Sequence, residues 1–365
     1  MRKRGLDFLR SIAILLVLIV HSSEVFRNYG FSLQGKWNLG NMGVMLFFVL
    51  SGYLIGGILI NELEEKTNYI TVLKFWLKRW FRTLPNYYLF LLINIFIIWK
   101  FKSSSYNELF DMWKFAFFIQ NILSTFQKSI FPESWSLAVE EWMYLILPIL
   151  VFIIIRVFRV SIKNSILIAC CFIFLFSISF GLYFTFINPD YSKLHFSRGV
   201  IFHTFSNFYS IAIGVFAAYL NFYHSKVIEK YHLNLFRTGL AILFFYFPLF
   251  YLFSKYFILL QYSVVLSFFL MIFYFALSDL SWIGDGKVWF VIKWTSLLSY
   301  SIYLNQNIVI FFINRIKFYQ NPFYILSISK IIIIWGFCYG LAFLTYKYVE
   351  LPFIEFRKLI INKIK

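Results

Sequence analysis

Apolar runs long enough to cross a bilayer recur along the whole chain of 365 residues, and they restrict its possible folds more than any other feature. About ten runs are predicted to span a membrane, with cores near 8–26, 41–60, 84–101, 139–158, 164–187, 204–222, 237–253, 257–277, 294–313 and 323–346. With 61% of residues hydrophobic and 14% charged, a soluble domain of this size is excluded. We therefore predict an all-α integral membrane protein, a bundle of about ten transmembrane helices.

The distribution of positive charge predicts the orientation of this bundle. An even number of spans puts both termini on one side of the membrane. Assigning that side as cytoplasmic places the larger share of the 34 Lys and Arg in inner segments, at 2–4, 66–82, 156–163 and after 346. We predict an N-in, C-in topology. The net charge of +18 is interpreted as an orientation signal, so no nucleic-acid partner is expected.

No shift in composition marks a second domain, so residues 1–365 are expected to form a single transmembrane domain without an appended soluble domain. The basic residues before the first apolar run resemble the start of a signal peptide. No small-residue cleavage site follows the run, which favours a retained first span. The basic, amphipathic end of the chain is expected to lie along the inner leaflet of the membrane.

Cysteine and histidine usage argues against structural disulfides and metals. Cys170, Cys171 and Cys338 all lie inside apolar runs, where a disulfide framework is not expected. No pair of His, Cys or carboxylate residues has the spacing of metal ligands, so no metal is predicted. The sequence also has neither a glycine-rich phosphate loop nor a G-x-S-x-G nucleophile motif.

The first apolar run carries Arg10 near its start and His21 near its end. An offset of 11 residues is three helical turns plus about 20°, so both side chains lie on one helix face, separated by ~16 Å along the axis. Ionisable residues inside a spanning helix are costly and usually face a partner or a cavity. A snorkelling arginine and an interfacial histidine are the alternative interpretation.

The segment KRWFRTLP, before the predicted third span, supplies a second basic group. Arg79 and Arg82 are three residues apart and therefore neighbours on one helix face. Together with Arg10 they would form a basic pocket suited to phosphate groups. The alternative is the ordinary accumulation of arginine on the inner side of a membrane protein.

Glu140 and Glu141 stand near the predicted outer boundary of the fourth span. Two carboxylates there are costly unless they are solvated or paired. Because His21 also lies toward the outer end of its span, a carboxylate–imidazole pair is geometrically possible. Such a pair would raise the basicity of the imidazole, as a general base requires. Two solvated interfacial acids are the alternative.

Two further segments contain residues suited to packing or to binding. The second span carries small residues that allow close helix packing: Gly43, Ser51, Gly52, Gly56 and Gly57. In the ninth span, Asn305, Gln306 and Asn307 must find hydrogen bonds and are candidates to line a cavity. Glu350, before Pro352, fits an ordinary interfacial acid at a helix end equally well.

These segments occur in the order seen in a known family. The chain resembles the membrane acyltransferase 3 family, which includes O-acetyltransferases that modify bacterial surface polysaccharides. The resemblance runs from about Leu6 to Arg357 and rests on the Arg10-x10-His21 spacing and on GVMLFFVLSGYLI, KRWFRTLP, SWSLAVEEWMY, SYSIYL and YVELPF. It implies a ten-helix core in the bacterial cytoplasmic membrane that transfers an acyl group, usually acetyl, from acyl-CoA to a carbohydrate hydroxyl.

The resemblance also implies roles for individual residues. His21 matches the essential histidine and Arg10 its partner, while Arg79 and Arg82 match the R-x-x-R pair that would hold acetyl-CoA. The motif S-L-x-V-E-E-x-x-Y is matched by Ser136, Glu140, Glu141 and Tyr144. The resemblance implies catalytic roles for the two glutamates and substrate-binding roles for Ser136 and Tyr144. Asn305 and Gln306 stand where the family often has Trp and His, and Asn207 stands where it often has Arg. Either departure could change the choice of acceptor.

Two reaction routes are consistent with these residues, and two other functions compete with acyl transfer: glycan transport, and glycan binding by a subunit that has lost catalysis, which Gln306 and Asn207 make conceivable. His21 could take the proton from a sugar hydroxyl for direct attack on the thioester, or it could carry the acyl group itself. Glu140 or Glu141 would orient His21. The expected partners are acyl-CoA, a carbohydrate acceptor, the lipid bilayer and polysaccharide-assembly proteins. The transport alternative is a transporter or flippase of lipid-linked glycans, in which the same charges line a substrate path.

Overall fold

A computed structural model describes residues 3–29, 33, 38–101, 112–123, 131–187, 202–253, 257–316 and 324–364. Among these residues every regular element is helical, which agrees with the predicted all-α class. Arg2, one of the cations predicted to lie inside, falls outside the described residues. So does the first residue of the predicted tenth span, 323–346.

Ten long helices, α1 to α10, make up most of the fold. Their bounds are α1 Arg4–Ser23, α2 Leu39–Glu65, α3 Tyr69–Phe101, α4 Ser134–Phe158, α5 Ile162–Ile187, α6 Phe208–Tyr223, α7 Ser225–Phe253, α8 Phe257–Leu277, α9 Lys287–Arg315 and α10 Tyr324–Thr345. A π-helical segment, Tyr346–Glu350, joins α10 to α11, Leu351–Lys363. Within the described part of the chain, ten helical stretches are long and apolar enough to cross a membrane. The predicted multi-pass architecture is therefore confirmed.

Several helices begin well before the predicted spans. The third begins at Tyr69 rather than near residue 84, and the seventh begins at Ser225 rather than near residue 237. Hydropathy detects only the part of a helix that crosses hydrocarbon, whereas backbone hydrogen bonding continues through charged turns. The 33 residues of α3 measure ~50 Å, longer than the ~30 Å hydrocarbon core. Arg79 and Arg82 consequently lie inside α3, not in a segment before it.

The helices pack through a small number of extensive interfaces. Helix α1 packs against α2 and α9, α2 packs against α4 and α6, and α9 packs against α10. Helix α7 packs chiefly on α8, and α11 packs on α3. Polar side chains of α1, α4 and α9, among them Asp7, Glu141 and Gln306, are buried in the interior of this bundle.

Helices α2 and α6 approach each other closely at two glycines. A Cβ atom added at Gly52 would lie 2.1 Å from the carbonyl oxygen of Ile211, and one at Gly214 would lie 2.3 Å from that of Val49. No side chain fits in these gaps, so the small residues set the distance between the two backbones. The predicted packing role is confirmed for Gly52. Added Cβ atoms at Gly43 and Gly56 would likewise meet neighbouring helices, whereas one at Gly57 would meet nothing within 4 Å.

Candidate active site

The inner half of the site begins where α1 meets α9. Arg10 Nη1 lies 3.2 Å from Asp7 Oδ1, one helical turn earlier, and 3.3 Å from Ser296 Oγ on α9. Ser296 Oγ in turn donates a 2.8 Å hydrogen bond to Asp7 Oδ1. Asp7 is buried, so its charge is compensated by Arg10 in the interior. The ion pair orients Arg10 within α1, and the hydrogen bonds of Ser296 tie both residues to α9.

His21 lies on the same face of α1, about 16 Å further along the helix. The Gln306 side chain lies within hydrogen-bonding reach of His21, and the Glu24 carboxylate is a charged group near it. His21 is half-buried, and its Nδ1 atom is buried without a hydrogen-bond partner. Gln306 is fully buried, and its Oε1 atom also has no partner. This end of the site therefore holds polar atoms that no protein group satisfies.

The two predicted substrate-binding residues of α9 point in different directions. Gln306 lies beside His21, but Asn305 Nδ2 donates a 3.0 Å hydrogen bond to the carbonyl oxygen of Cys338 on α10. Adjacent residues of a helix project about 100° apart, so only one of them readily faces a given neighbour. The structure brings Gln306 to the site and assigns Asn305 a contact between α9 and α10.

Helix α4 carries a stripe of polar side chains into the centre of the bundle. Ser136, Glu140 and Tyr144 follow one another at spacings of four residues, which places them on one face, and Glu133, the N-cap residue directly before α4, precedes Ser136 by three residues. Ser136 Oγ lies 2.7 Å from the hydroxyl of Tyr303 on α9. Tyr144 Oη donates a 2.6 Å hydrogen bond to Glu140 Oε2 and lies 2.5 Å from Ser51 Oγ on α2. These bonds join α2, α4 and α9.

The two adjacent carboxylates interact with different groups on α3. Glu140 feels the positive charges of Arg79, Arg10 and Arg82. Glu141 is buried and accepts a 2.9 Å hydrogen bond from Thr83 Oγ1. Among the described residues, neither carboxylate is one of the groups that act on His21. Both acids lie about two turns inside α4, where the charges that act on them include that of Arg79 on α3.

A basic cavity of about 510 Å³ opens beside α3. Its lining residues are Ile58, Phe75, Lys78, Arg79, Arg82, Arg357, Lys358, Ile361 and Asn362. Five of these nine are cationic and none is acidic. The Arg79 guanidinium lies 5.0 Å from the centre of the Tyr144 ring, and its Nε and Nη2 atoms are buried without a hydrogen-bond partner. Arg10 is not among the lining residues, so the predicted basic pocket forms without it.

Three residues of the site are not predicted from the sequence as site residues: Glu133, Arg357 and Lys358. Glu133 is only 4% exposed, lies beside Asn307, and has an Oε2 atom without a hydrogen-bond partner. Burial raises the pKa of this carboxyl to about 8. The i, i+3 spacing from Ser136 is the signal that could have identified it. Arg357 and Lys358 were expected only as part of a basic tail.

Glu350 is not an interfacial acid. It is 4% exposed and accepts hydrogen bonds from Asn86 Nδ2, at 2.9 Å, and from Ser301 Oγ. Its charge acts on Arg82. The π-helical segment that ends at Glu350 shifts the register of the backbone and turns this side chain toward α3 and α9.

Asn207, one of the predicted departures from the family pattern, is buried at the start of α6. Its Nδ2 atom donates a 2.9 Å hydrogen bond to the carbonyl oxygen of His203. Burial lowers the pKa of His203 to about 4, so this imidazole is neutral at pH 7. Within the described part of the chain, no group of three His, Cys, Asp or Glu residues could hold a metal ion. The expected absence of a metal stays a prediction.

Taken together, the polar residues form a column between the basic cavity and His21. Arg79, Tyr144 and Glu140 occupy one end of the column, and Ser136 and Tyr303 continue it. Gln306 and His21 occupy the other end. A cationic cavity can bind phosphate groups, and a histidine with an unpartnered ring nitrogen can accept a proton. The arrangement therefore combines anion binding at one end of the bundle with a potential base at the other.

Comparison with known proteins assigns this architecture to a family. O-acetyltransferase OatA of Staphylococcus aureus strain NCTC 8325 is 30% identical over 203 residues, which are 53% of this chain and 31% of that protein. A provisionally named O-acetyltransferase of S. aureus strain COL is 29% identical over 228 residues, 59% of this chain and 34% of that protein. The chain thus spans about a third of the length of these curated relatives. No solved structure matches.

A family model described as an acyltransferase domain matches residues 3–347, which include α1 to α10 but not α11. The match covers every residue assigned above to the polar column. The chain is therefore a multi-pass membrane protein that belongs to the acyltransferase 3 family.

Proposed function

We propose that this protein is an integral membrane O-acyltransferase that transfers acetyl from acetyl-CoA to a hydroxyl of a cell-surface or exported carbohydrate. The family and the relatives named O-acetyltransferase support the reaction class. We further propose that the protein lies in a bacterial cytoplasmic membrane with both termini inside. The excess of Lys and Arg in the segments assigned to the inner side supports this orientation.

The observation that carries the proposal is the polar column between the basic cavity and His21. Arg79 Nε at the cavity, and His21 Nδ1 and Gln306 Oε1 at the opposite end, are buried without a protein hydrogen-bond partner; such atoms also occur elsewhere in the bundle, as at Tyr209. Unsatisfied buried polar atoms are costly, and substrates that complete their hydrogen bonds would remove that cost.

Arg79 and Arg82 hold the phosphate groups of acetyl-CoA in this proposal. Arginine suits the task because its planar guanidinium binds phosphate oxygens in pairs. Glu140 lies behind the arginines and, with the Tyr144 ring, keeps Arg79 directed toward the cavity. Arg10 acts indirectly, through its contacts with Asp7 and Ser296 and through its charge on Glu140.

His21 acts as the general base. It takes the proton from the acceptor hydroxyl while that oxygen forms a bond to the thioester carbonyl carbon. The carbon–sulfur bond then breaks, and the proton held by His21 passes to the departing thiolate. In the second route the His21 nitrogen itself attacks, the thiolate leaves with a proton, and the acylated imidazole later transfers its acyl group to the hydroxyl. Gln306 orients the imidazole in both routes.

Glu141, Ser136 and Tyr144 have positioning roles in the proposal. Glu141 holds α4 against α3 through Thr83, and Ser136 holds α4 against α9 through Tyr303. Both contacts keep the centre of the column at a constant width. The carbohydrate acceptor would enter beside His21, where Gln306 and Asn307 offer amide groups suited to sugar hydroxyls. Polysaccharide-assembly proteins are the expected source of that acceptor.

The first test compares surface glycans of cells that carry the wild-type protein, the His21→Ala variant or no copy. Mild alkali releases ester-linked acyl groups, and mass spectrometry of the polysaccharide measures the mass increment per repeat. We expect an acetyl-sized increment only with intact His21. His224→Ala is the matched control, because this histidine follows α6 away from the column. An unchanged acyl pattern with less surface glycan in the His21→Ala cells would instead support glycan transport.

A further inference from the structure

Helix α11 supplies almost half of the wall of the basic cavity. Four of its residues, Arg357, Lys358, Ile361 and Asn362, line the space, and four residues of α3 lie opposite. The spacing i, i+1, i+4, i+5 places the α11 residues on one face of the helix. The cavity is therefore formed between two helices that are distant in sequence, and it would be open on one side without α11.

Specific contacts hold α11 against α3. Arg357 Nη1 donates a 2.7 Å hydrogen bond to the carbonyl oxygen of Lys78, and the rings of Phe356 and Phe81 lie 5.9 Å apart. Just before α11, buried Glu350 anchors the chain to Asn86 and Ser301. Pro352 in the first turn suits the start of a helix. These contacts fix the position of the basic face of α11 relative to Arg79 and Arg82.

The charges around the cavity repel one another. Arg79 and Arg357 act on each other and on Arg82 with like charge. An ion pair with Glu62 compensates the charge of Lys78. The acids that oppose two of the other cations are not lining residues of the cavity: Glu140 acts on Arg79, and Glu350 acts on Arg82. Repulsion between fixed cations is relieved when a polyanion lies between them. The cavity therefore favours a ligand with several negative charges.

We propose that Arg357 and Lys358 of α11 bind phosphate groups of the acyl donor. Helix α11 would then determine the preference of the protein for a nucleotide donor that carries phosphates over an acyl thioester that lacks them. The inference rests on the proposed function, because it assumes that the donor enters this cavity. Arg357 provides a planar donor fork and Lys358 a compact charge. Together with Arg79 and Arg82 they offer four cations to the phosphates of one nucleotide.

Phosphate groups at this place have two sources, the nucleotide of CoA and the headgroup of an anionic lipid. The experiment separates them by measuring binding rather than turnover, on the purified full chain in nanodiscs of phosphatidylcholine. The probes are CoA, pantetheine, which lacks the phosphates, and phosphatidylglycerol added to the nanodisc. The variant is the double substitution Arg357→Gln and Lys358→Gln. Lys363→Gln is the matched control, because Lys363 is exposed on the same helix and does not line the cavity.

We expect the double variant to bind CoA about tenfold to a hundredfold more weakly than the wild type. Pantetheine binding and CoA binding by the Lys363→Gln protein should stay within about twofold of wild type. Arg357→Lys, which keeps the charge, should recover part of the loss. A purely structural role would weaken CoA and pantetheine binding equally, and that result would overturn the inference.

Equal CoA binding by the wild type and the double variant would overturn this inference alone, since the proposed donor would remain. A variant that loses affinity for phosphatidylglycerol but not for CoA would also overturn it and assign the site to a lipid headgroup. No CoA binding by the wild type would overturn the proposed donor together with this inference. The His21→Ala protein should bind CoA like the wild type, which separates donor binding from catalysis.

Discussion

The hydroxyl of Tyr144 lies 2.6 Å from Glu140 Oε2, one turn earlier in α4, while its ring lies under the guanidinium of Arg79. One side chain thus contacts both a buried carboxylate and a cation of the basic cavity. The hydroxyl orients the acid and the ring supports the arginine. These two functions can be separated by substitution.

Tyr144→Phe removes the hydroxyl and keeps the ring. A hydrogen bond to a charged group contributes about 1.5–3 kcal/mol, so we expect acyl transfer to fall roughly tenfold to a hundredfold. CoA binding should fall by a smaller factor, because Glu140 loses a hydrogen bond while the ring contact with Arg79 is kept. Ester release from surface glycans measures the first effect, and nanodisc binding measures the second. Tyr251→Phe, at an exposed tyrosine of α7, is the control. Full activity of Tyr144→Phe would show that its hydroxyl does not orient Glu140 in catalysis.

Gly52→Ala should prevent α2 and α6 from packing as they do. The new Cβ would lie 2.1 Å from the Ile211 carbonyl oxygen, and a backbone atom cannot move aside as a flexible side chain can. Overpacking of this kind costs about 1–3 kcal/mol or more, so we expect a lower melting temperature and less folded protein in detergent. Gly57→Ala, in the same helix but facing open space, should behave like the wild type. Equal stability of both variants would contradict the close approach.

Glu350→Gln tests the buried acid that precedes α11. The change keeps the shape of the side chain and an acceptor oxygen for Asn86 and Ser301, but it removes the buried negative charge that acts on Arg82. Breaking one side of a buried charge pair costs about 3–5 kcal/mol. We therefore expect a clear fall in melting temperature, measured by fluorescence-detected size-exclusion chromatography after heating. Glu355→Gln changes an exposed acid five residues later and should leave the melting temperature unaltered.

Glu133 predicts a dependence of stability on pH. Burial raises the pKa of its carboxyl to about 8, from 4.5 for the unperturbed group. The folded state holds this proton more tightly than the unfolded state. The free energy of unfolding is therefore highest below about pH 4.5, and this contribution of the protonated carboxyl is lost as the pH rises to about 8. Glu133→Gln imitates the neutral form and has no such loss. The melting temperature of the wild type should therefore fall relative to that of the variant between pH 5 and 9. Parallel plots of melting temperature against pH for the two proteins would show that the pKa of Glu133 is not raised.

How far the sequence predicts this protein can be judged from individual residues. The Arg10–His21 spacing correctly places both side chains on one face of α1, because helix geometry is local and the helix is long. Gly43, Gly52 and Gly56 of α2 pack closely as predicted, since small residues in spanning helices usually permit close approach, whereas Gly57 faces open space. The start of α3 was misplaced by about 15 residues, because hydropathy does not register a helix that continues outside the hydrocarbon.

The partners of buried charges could not be predicted in the same way. Glu140 was expected beside His21, yet its charged neighbours include Arg79 and Arg82. The sequence specifies the face of α4 on which Glu140 lies, but the depth of that residue relative to α1 and α3 depends on how three helices pack. Arg357 was hidden for a related reason, since a basic tail has the same composition whether it lies on lipid or on α3.

The sequence by itself determined the all-α membrane class, the number of spans and the polar face of each helix. Those features follow from hydropathy and from the helical period, both of which act within one segment. Only the tertiary structure decided which polar faces meet. It brought α11 onto α3 to close the basic cavity, and it brought Gln306 and Glu24, rather than Glu140 or Glu141, to His21. The physical reason is that buried polar groups are paired by packing between distant helices, whose relative depth and rotation no single segment encodes.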